Sequence, residues 1–126
     1  MIYGIGTDIL AIARMQDMHA RFGARLAQRI LAPEELAELA SAAQPAVFLA
    51  KRFAAKEAFA KAAGTGMRPP VQFASIRIDH DSLGRPLLAF SPALTAWLSD
   101  RGIGLAHLSL SDEREHVVAF VILERA

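Results

Sequence analysis

The segment from Phe48 to Gly66, FLAKRFAAKEAFAKAAGTG, constrains the fold more than any other part of the chain. Alanine and unbranched side chains favour an α-helix, and Gly64 is well placed to end it. At 100° per residue, Phe53, Glu57 and Lys61 fall on one slowly drifting stripe of that helix. A charge on a partly buried stripe is costly unless it is compensated. We therefore expect a salt bridge, a metal ion or a bound phosphate beside this helix.

The composition indicates one folded domain, residues 1–126, with a substantial core. Of the 126 residues, 53% are hydrophobic and 21% are charged, which argues against disorder. The apolar share is slightly above the usual one, so we expect some apolar surface to be buried between subunits. The formal net charge of +1 creates no whole-protein field for nucleic acid, and we expect no nucleic-acid partner.

Cysteine and histidine usage narrows the chemistry. The chain has no cysteine, which excludes disulfides, thiolate catalysis and cysteine-ligated zinc. The four histidines are scattered and none has the spacing of a zinc site. No apolar run approaches the length that spans a bilayer, and the N-terminus lacks the features of a signal peptide. We therefore expect a cytoplasmic protein without a membrane partner.

The order of predicted elements is typical of an α+β fold. Helical periodicity and helix-start signals predict helices at 11–22, at 25–31, from 33 onwards, at 46–63 and at 91–102. Apolar patterns predict strands at 2–10, 73–78, 87–90, 105–111 and 117–123. A strand, then helices, then mostly strands indicates an antiparallel sheet. The helix from Pro33 follows a poor cap, Ala32, so we expect its start to fray.

Asp8 and Glu57 are candidate ligands for Mg²⁺. Asp8 lies near the end of the first predicted strand, whereas Glu57 lies on the long helix. Two carboxylates from separate elements, completed by waters and phosphate oxygens, are a usual way of holding Mg²⁺. The alternative for Asp8 is a cap or turn before the helix that begins near Ala11. The residues alone leave both interpretations open.

The long helix also carries three cations, Arg52, Lys56 and Lys61, close to its apolar stripe. A phosphate-rich ligand lying over the helix would explain the three together. The alternative is an ordinary ion pair between Glu57 and Lys61, which are four residues apart in the favourable order. Arg52 and Lys56 would then be solvated surface charges.

Two further segments bear on binding. Gly64-Thr65-Gly66 is most simply a helix C-cap and turn, although its backbone N–H groups also suit a phosphate. Residues 14–30 are locally cationic in a nearly neutral protein, because Arg14 and Arg21 are joined by two more arginines against a single acid. Gly4-x-Gly6 is too short for a dinucleotide-binding motif and indicates close backbone packing instead.

Four motifs follow one another along the chain: Gly4-Ile5-Gly6-Thr7-Asp8-Ile9, Phe53-Ala54-Ala55-Lys56-Glu57-Ala58 with Lys61 one turn on, Gly84-Arg85-Pro86, and Leu108-Ser109-Leu110-Ser111-Asp112. Together they resemble the holo-[acyl-carrier-protein] synthase family, the small bacterial 4′-phosphopantetheinyl transferases. The resemblance covers residues 2 to about 124. It implies an α+β 4′-phosphopantetheinyl transferase fold, with an antiparallel sheet packed against a long central helix. It also implies a homotrimer whose coenzyme A cleft lies between neighbouring subunits.

The resemblance implies Mg²⁺-dependent transfer of the 4′-phosphopantetheine arm of coenzyme A to a serine of apo acyl carrier protein. Adenosine 3′,5′-bisphosphate is released, and the reaction supports fatty acid biosynthesis. Asp8 and Glu57 match the metal ligands, and Glu57 and Lys61 match the catalytic residues, with Lys61 facing the reacting phosphates. Arg14 and Arg21 match the basic face that receives the acidic carrier protein. The coenzyme A-binding positions would be Arg52, Lys56, Lys61, Gly64, Gly66 and Pro86.

One position departs from the family pattern, because Asp112 stands where many members have histidine in an S-x-S-H motif. No histidine role is therefore carried over to this position. Two other functions also stay open. One is a non-catalytic oligomeric nucleotide-binding module, which needs only Arg52, Lys56 and Lys61. The other is a purely structural α+β assembly unit. Metal dependence of coenzyme A binding separates the enzyme from both.

Overall fold

A 19-residue helix in the middle of the chain organises the fold, as the computed structural model of all 126 residues shows. The helices are α1 (Ile12–Phe22), α2 (Ala24–Ile30), α3 (Pro33–Ala40), α4 (Pro45–Ala63) and α5 (Pro92–Asp100), with a 3₁₀ turn at Phe73–Ser75. The strands are β1 (Ile2–Ala11), β2 (Ile76–His80), β3 (Pro86–Phe90), β4 (Ile103–Asp112) and β5 (His116–Arg125). The predicted α+β class with antiparallel sheets is confirmed.

The strands form two antiparallel sheets. The larger has the order β1-β5-β4, and β2 and β3 pair separately as a hairpin. The inward residues of the central strand β5 are fully buried: Val117, Ala119, Val121 and Leu123. Helix α4 packs on this inner face and has its most extensive contacts with β1 and β5. No helix combines the length and the apolarity that crossing a membrane requires.

Two glycines allow β1 to lie directly on the backbone of α4. A Cβ atom at Gly4 would collide with the carbonyl oxygen of Ala62, and one at Gly6 with that of Ala58. Only glycine therefore fits at these two positions of the strand. The predicted close backbone packing is confirmed, and it brings Asp8, two residues further along the same face, to the side of α4.

The start of α3 differs from the expectation of a frayed end. The Glu35 side chain reaches back and accepts a hydrogen bond from the Ala32 N–H at 2.9 Å. This is the glutamate half of a capping box, which satisfies one of the free N–H groups at a helix start. Glu35 is also fully buried, so the first turn of α3 is fixed to the core.

The outer face of the larger sheet exposes five large apolar side chains. They are Ile5 (58%), Ile9 (65%), Leu105 (59%), Val118 (39%) and Phe120 (36%). They lie on all three strands, among polar residues such as Thr7 and Ser109, which pair in register with Phe120. So many exposed apolar side chains on one face are typical of a surface that other protein covers.

We expect copies of the chain to associate through this face as the trimer that the family resemblance implies. Phe120→Asp should yield monomers, because association would bury an unpaired charge. Sedimentation equilibrium at micromolar concentration measures the mass. Leu83→Asp is the matched control, since Leu83 is 94% exposed and lies outside this sheet. A monomeric wild-type protein, or an unchanged mass for Phe120→Asp, would contradict the expectation.

Candidate active site

Lys61 connects α4 to β1. Its Nζ atom donates to the Thr7 carbonyl oxygen at 2.9 Å and lies 3.3 Å from Asp8 Oδ1. The Lys61 side chain is 54% exposed, whereas that of Asp8 is 16% exposed. An ammonium group has three N–H donors, so one remains available to a ligand that approaches from solvent.

Glu57 lies one turn before Lys61, but no salt bridge joins the two residues. The alternative of an ordinary i, i+4 ion pair is therefore wrong, because Lys61 reaches across to Asp8 instead. The other alternative, Asp8 as a helix cap, is also wrong, since β1 continues to Ala11 and α1 has no side-chain cap. Neither alternative therefore accounts for the carboxylates of Asp8 and Glu57.

Glu57 lies in an environment that disfavours its charge. Burial raises the pKa of the Glu57 carboxyl, the Asp8 charge raises it further, and Lys61 opposes both effects. Lys61 Nζ lies 3.3 Å from Asp8 Oδ1, and Glu57 lies one turn before Lys61 on α4. The two carboxylates therefore lie on the same side of α4, next to β1, with a cation beside them. No group of three or more potential ligands forms a closed metal site. An open pair of carboxylates suits Mg²⁺, which prefers to complete its shell with water and phosphate oxygens.

Lys56 does not reach this space. Its side chain is fully buried, and Nζ donates to Glu35 Oε1 at 2.6 Å, to the Ile30 carbonyl oxygen at 2.7 Å and to the Phe73 carbonyl oxygen at 3.0 Å. All three of its N–H donors are used. The prediction that Lys56 binds a coenzyme A phosphate is therefore wrong. The alternative of a solvated surface charge is wrong as well.

Arg52 is also drawn into the core. Its Nε atom lies 3.0 Å from Glu35 Oε2 without being aligned for a hydrogen bond, and one terminal nitrogen donates to Glu38 Oε2 at 2.8 Å. Its guanidinium lies over the Phe48 ring, 4.4 Å from the ring centre. Two carboxylates already match its charge, and Arg52 also lines the cavity that contains Pro86, so its contact with a phosphate stays a prediction. Arg52 is not a solvated surface charge either, because its side chain is only 5% exposed.

The remaining predicted coenzyme A-binding positions are far apart, because Gly64 and Gly66 follow the end of α4 and Pro86 lies beside its first half. Gly64 ends the helix with φ +81°, and the N–H groups of Gly64 and Gly66 bond to the Ala60 carbonyl oxygen. This is the C-cap interpretation, and those N–H groups are not free for a phosphate. Pro86 lines a cavity of about 560 Å³ at the other end of α4, beside Lys51. Ten residues of helix, or about 15 Å, separate Lys51 from Lys61.

Sequence reasoning missed the pairing of Lys51 with Asp112. Their charged atoms lie 3.0 Å apart, and both line the cavity that contains Pro86. Asp112 ends β4 and Lys51 lies on α4, so only the tertiary fold brings them together. Helical spacing predicts contacts within one helix, such as that of Glu57 with Lys61, but not a contact between a helix and a strand.

The predicted basic face borders an apolar groove of about 330 Å³ between α1 and α2, to which α4 and the 3₁₀ turn each contribute one residue. Met18, Phe22, Phe53 and Phe73 contribute apolar walls, while Arg14, Arg25 and Arg29 carry the charge. Arg21 lies over the Phe22 ring, 5.4 Å from its centre. The structure therefore places Arg14 in the groove and Arg21 against one of its walls.

A family model described as the 4′-phosphopantetheinyl transferase superfamily matches residues 4–121. The chain belongs to the 4′-phosphopantetheinyl transferase superfamily. Its sequence is 57% identical to the holo-[acyl-carrier-protein] synthase of Laribacter hongkongensis, over 98% of this chain and 99% of that protein.

Two solved structures extend the likeness to three dimensions. The crystal structure of holo-[acyl-carrier-protein] synthase from Neisseria meningitidis is 54% identical, with a TM-score of 0.97 over 99% of this chain and 100% of that chain. The synthase from Bacillus anthracis in complex with CoA (3′,5′-ADP) is 36% identical, with a TM-score of 0.82 over 100% and 99% of the two chains. In this member of the superfamily, the cluster of Asp8, Glu57 and Lys61 is thus set in a fold shared with coenzyme A-bound relatives.

The raised pKa of Glu57 predicts how the metal-free protein responds to substitution. A carboxyl whose pKa is higher in the folded protein stabilises the fold at low pH, and that stability is lost as pH rises from the ordinary value through the raised one. At pH 7 the charged carboxylate therefore opposes folding. Glu57→Gln should raise the melting temperature of metal-free protein by a few degrees.

Differential scanning calorimetry in the presence of a chelator measures this effect. Glu38→Gln is the matched control, because the same chemical change removes the negative charge that pairs with Arg52 and should lower the melting temperature. A Glu57→Gln protein that melts below wild type at pH 7 would contradict the assigned electrostatics.

Proposed function

We propose that this protein transfers the 4′-phosphopantetheine arm of coenzyme A to a serine of apo acyl carrier protein and releases adenosine 3′,5′-bisphosphate. The reaction would support fatty acid biosynthesis. Superfamily membership, full-length similarity to relatives named holo-[acyl-carrier-protein] synthase and the coenzyme A complex of one relative support the proposal. The observation that carries it is the cluster of Asp8, Glu57 and Lys61. A cytoplasmic location stays a prediction.

Asp8 and Glu57 would hold Mg²⁺, because an open pair of facing carboxylates fits that ion when phosphate oxygens complete its shell. When bound, the ion neutralises negative charge on the pyrophosphate of coenzyme A. The protein's own contribution is to keep the two carboxylates in place before substrate arrives. Because β1 lies on the α4 backbone at Gly6, little reorganisation is needed on binding.

Lys61 would act on the phosphates directly. Thr7 and Asp8 orient its ammonium and leave one N–H donor facing solvent. That donor would bond to a phosphate oxygen and stabilise the charge that develops on the departing bisphosphate. The arrangement separates two tasks, since the carboxylates hold the metal and the ammonium serves the leaving group.

A homotrimer would complete the coenzyme A cleft. The exposed apolar side chains on the outer face of the larger sheet support association. The cavity at Pro86 and the cluster at Lys61 also lie at different ends of α4. A cleft between neighbouring chains would let Pro86 of one chain serve the reacting cluster of another.

The groove between α1 and α2 would receive the carrier protein. Arg14 and Arg21 would attract an acidic partner over a distance, and this sets the association rate and partner choice. Met18 and Phe22 would bury apolar side chains of the same partner, as amphipathic segments do in such grooves.

A non-catalytic nucleotide-binding module is less consistent with the site. That hypothesis needs Arg52, Lys56 and Lys61 as free phosphate ligands, but the first two are buried in ion pairs. It also leaves the facing carboxylates of Asp8 and Glu57 without a role. The transferase accounts for both.

The proposed activity predicts that apo acyl carrier protein gains the mass of one phosphopantetheine arm after incubation with coenzyme A, Mg²⁺ and this protein. Intact-mass spectrometry measures the gain. Asp8→Asn should slow the transfer by about 100-fold or more, because a charged metal ligand is lost while the fold stays intact. Asp100→Asn, at the exposed end of α5, is the control and should act like wild type. No gain with wild-type protein would refute the function, and a near-normal rate for Asp8→Asn would refute the metal assignment.

If the groove binds the carrier protein, a charge reversal there should weaken carrier-protein binding and leave coenzyme A binding unchanged. Arg14→Glu should raise the carrier-protein KM by about tenfold at low ionic strength, and the difference should shrink as salt screens the charge. The coenzyme A KM should stay nearly unchanged. Steady-state kinetics at two ionic strengths measure both, with Arg101→Glu, directly after α5 and outside the groove, as control. An unchanged carrier-protein KM, or a loss confined to coenzyme A, would place the partner on another face.

A further inference from the structure

The buried Lys56 ammonium contacts two backbone segments that also form the groove. It donates to the carbonyl oxygens of Ile30, at the end of α2, and of Phe73, in the 3₁₀ turn. Ile30 and Phe73 are both groove-lining residues. A single charged group inside the core therefore joins two parts of the groove that are far apart in sequence.

We propose that Lys56 is a positioning residue for the carrier protein, because its ammonium clamps the Ile30 and Phe73 segments at the spacing that the groove requires. The proposal rests on the proposed function, in which this groove receives the carrier protein. Lys56 itself contacts no substrate, since its side chain is fully buried.

A second contact holds the same wall. The Phe73 ring stacks on Phe53, with ring centres 5.4 Å apart and an angle of 21° between the planes. Phe53 lies on α4 three residues before Lys56, so one turn of this helix holds Phe73 by both its ring and its carbonyl oxygen. Both rings line the groove.

Glu35 completes the clamp from the other side. Its Oε1 atom accepts from Lys56 and from the Ala32 N–H, and its Oε2 atom accepts from the Ile78 N–H at 3.0 Å. Ala32 follows Ile30 closely, and Ile78 follows the turn that contains Phe73. Lys56 and Glu35 therefore each make one hydrogen bond to the Ile30 segment and one to the Phe73 segment.

A charged pair is an expensive way to provide stability alone. Apolar residues of similar volume often stabilise a core as well or better than a buried ion pair does. The directional bonds of Lys56 instead fix two carbonyl positions that apolar packing would leave free to shift. An experiment can separate the two roles, because a positioning role changes the carrier-protein KM whereas a purely stabilising role changes only the melting temperature.

Lys56→Met keeps an unbranched side chain that is one heavy atom shorter, and it removes the three N–H donors. The proposal expects the carrier-protein KM to rise by about tenfold, because a small displacement of a binding surface is costly. The coenzyme A KM and the kcat at saturating carrier protein should stay within about twofold of wild type. Steady-state transfer kinetics by intact mass, below the melting temperature of every variant, give all three values.

Three further variants make the result specific. Leu94→Ala truncates a buried residue of α5 outside the groove and should change neither KM, although it lowers stability. Arg14→Glu reports on the groove itself. The double variant Glu35→Gln/Lys56→Met removes one cation and one anion together and so keeps the net charge of the buried cluster unchanged, so it serves if the single variant does not fold. It should show the same selective rise.

The outcomes separate the proposals. If wild-type protein transfers no arm, the proposed function fails and the clamp with it. If Arg14→Glu raises the carrier-protein KM and both clamp variants leave it unchanged, the clamp alone is wrong. A Lys56→Met protein with lower kcat or weaker coenzyme A binding would mean that Lys56 acts through Glu57, which overturns the clamp. An equal rise of the carrier-protein KM in Leu94→Ala would mean that lost stability alone causes the effect, and this would overturn the clamp as well.

Discussion

The close packing of β1 on the backbone of α4 is the constraint on which the active site depends. Gly4 and Gly6 admit the α4 carbonyl oxygens into the space that side chains would fill. At this separation, burial and the Asp8 charge raise the pKa of Glu57, and Lys61 reaches the strand backbone. Larger residues at either glycine would move the strand outward and separate the groups that the proposed reaction needs together.

The fold divides the charges of α4 between two environments. Arg52 and Lys56 turn into the core, where Glu35 pairs with both and Glu38 pairs with Arg52. Glu57 and Lys61, each five residues after one of these cations, lie beside β1, where Glu57 has no cation within ion-pair distance and Lys61 is half exposed. The same helix thus carries a closed network that fixes the structure and an open one that can take a ligand. Its position at the centre of the fold links the proposed carrier groove to the proposed metal site.

Much of the fold could be predicted from the sequence, because strand alternation, helical periodicity and the Ser91-Pro92 start are local signals. The glycines of β1 and the pairing of Asp8 with Glu57 were also accessible from motifs. The ion pairs of Arg52 and Lys56 could not be predicted, because the same helix pattern fits a cation that binds a phosphate and a cation that pairs with a buried acid. The deciding partner, Glu35, lies 21 residues from Lys56, and its place two residues after Pro33 indicates only a helix start. Long-range ion pairs of this kind have no periodic signature, and neither does the pairing of Lys51 with Asp112.

The central claim is that Asp8 and Glu57 share one divalent ion. Crystals grown with coenzyme A and Mn²⁺ in place of Mg²⁺ test it, because the anomalous scattering of manganese locates the ion directly. Our account predicts one peak in contact with both carboxylates and with a coenzyme A phosphate, and the loss of that peak in Asp8→Asn. A peak that touches neither carboxylate, or one that persists unchanged in Asp8→Asn, would contradict it.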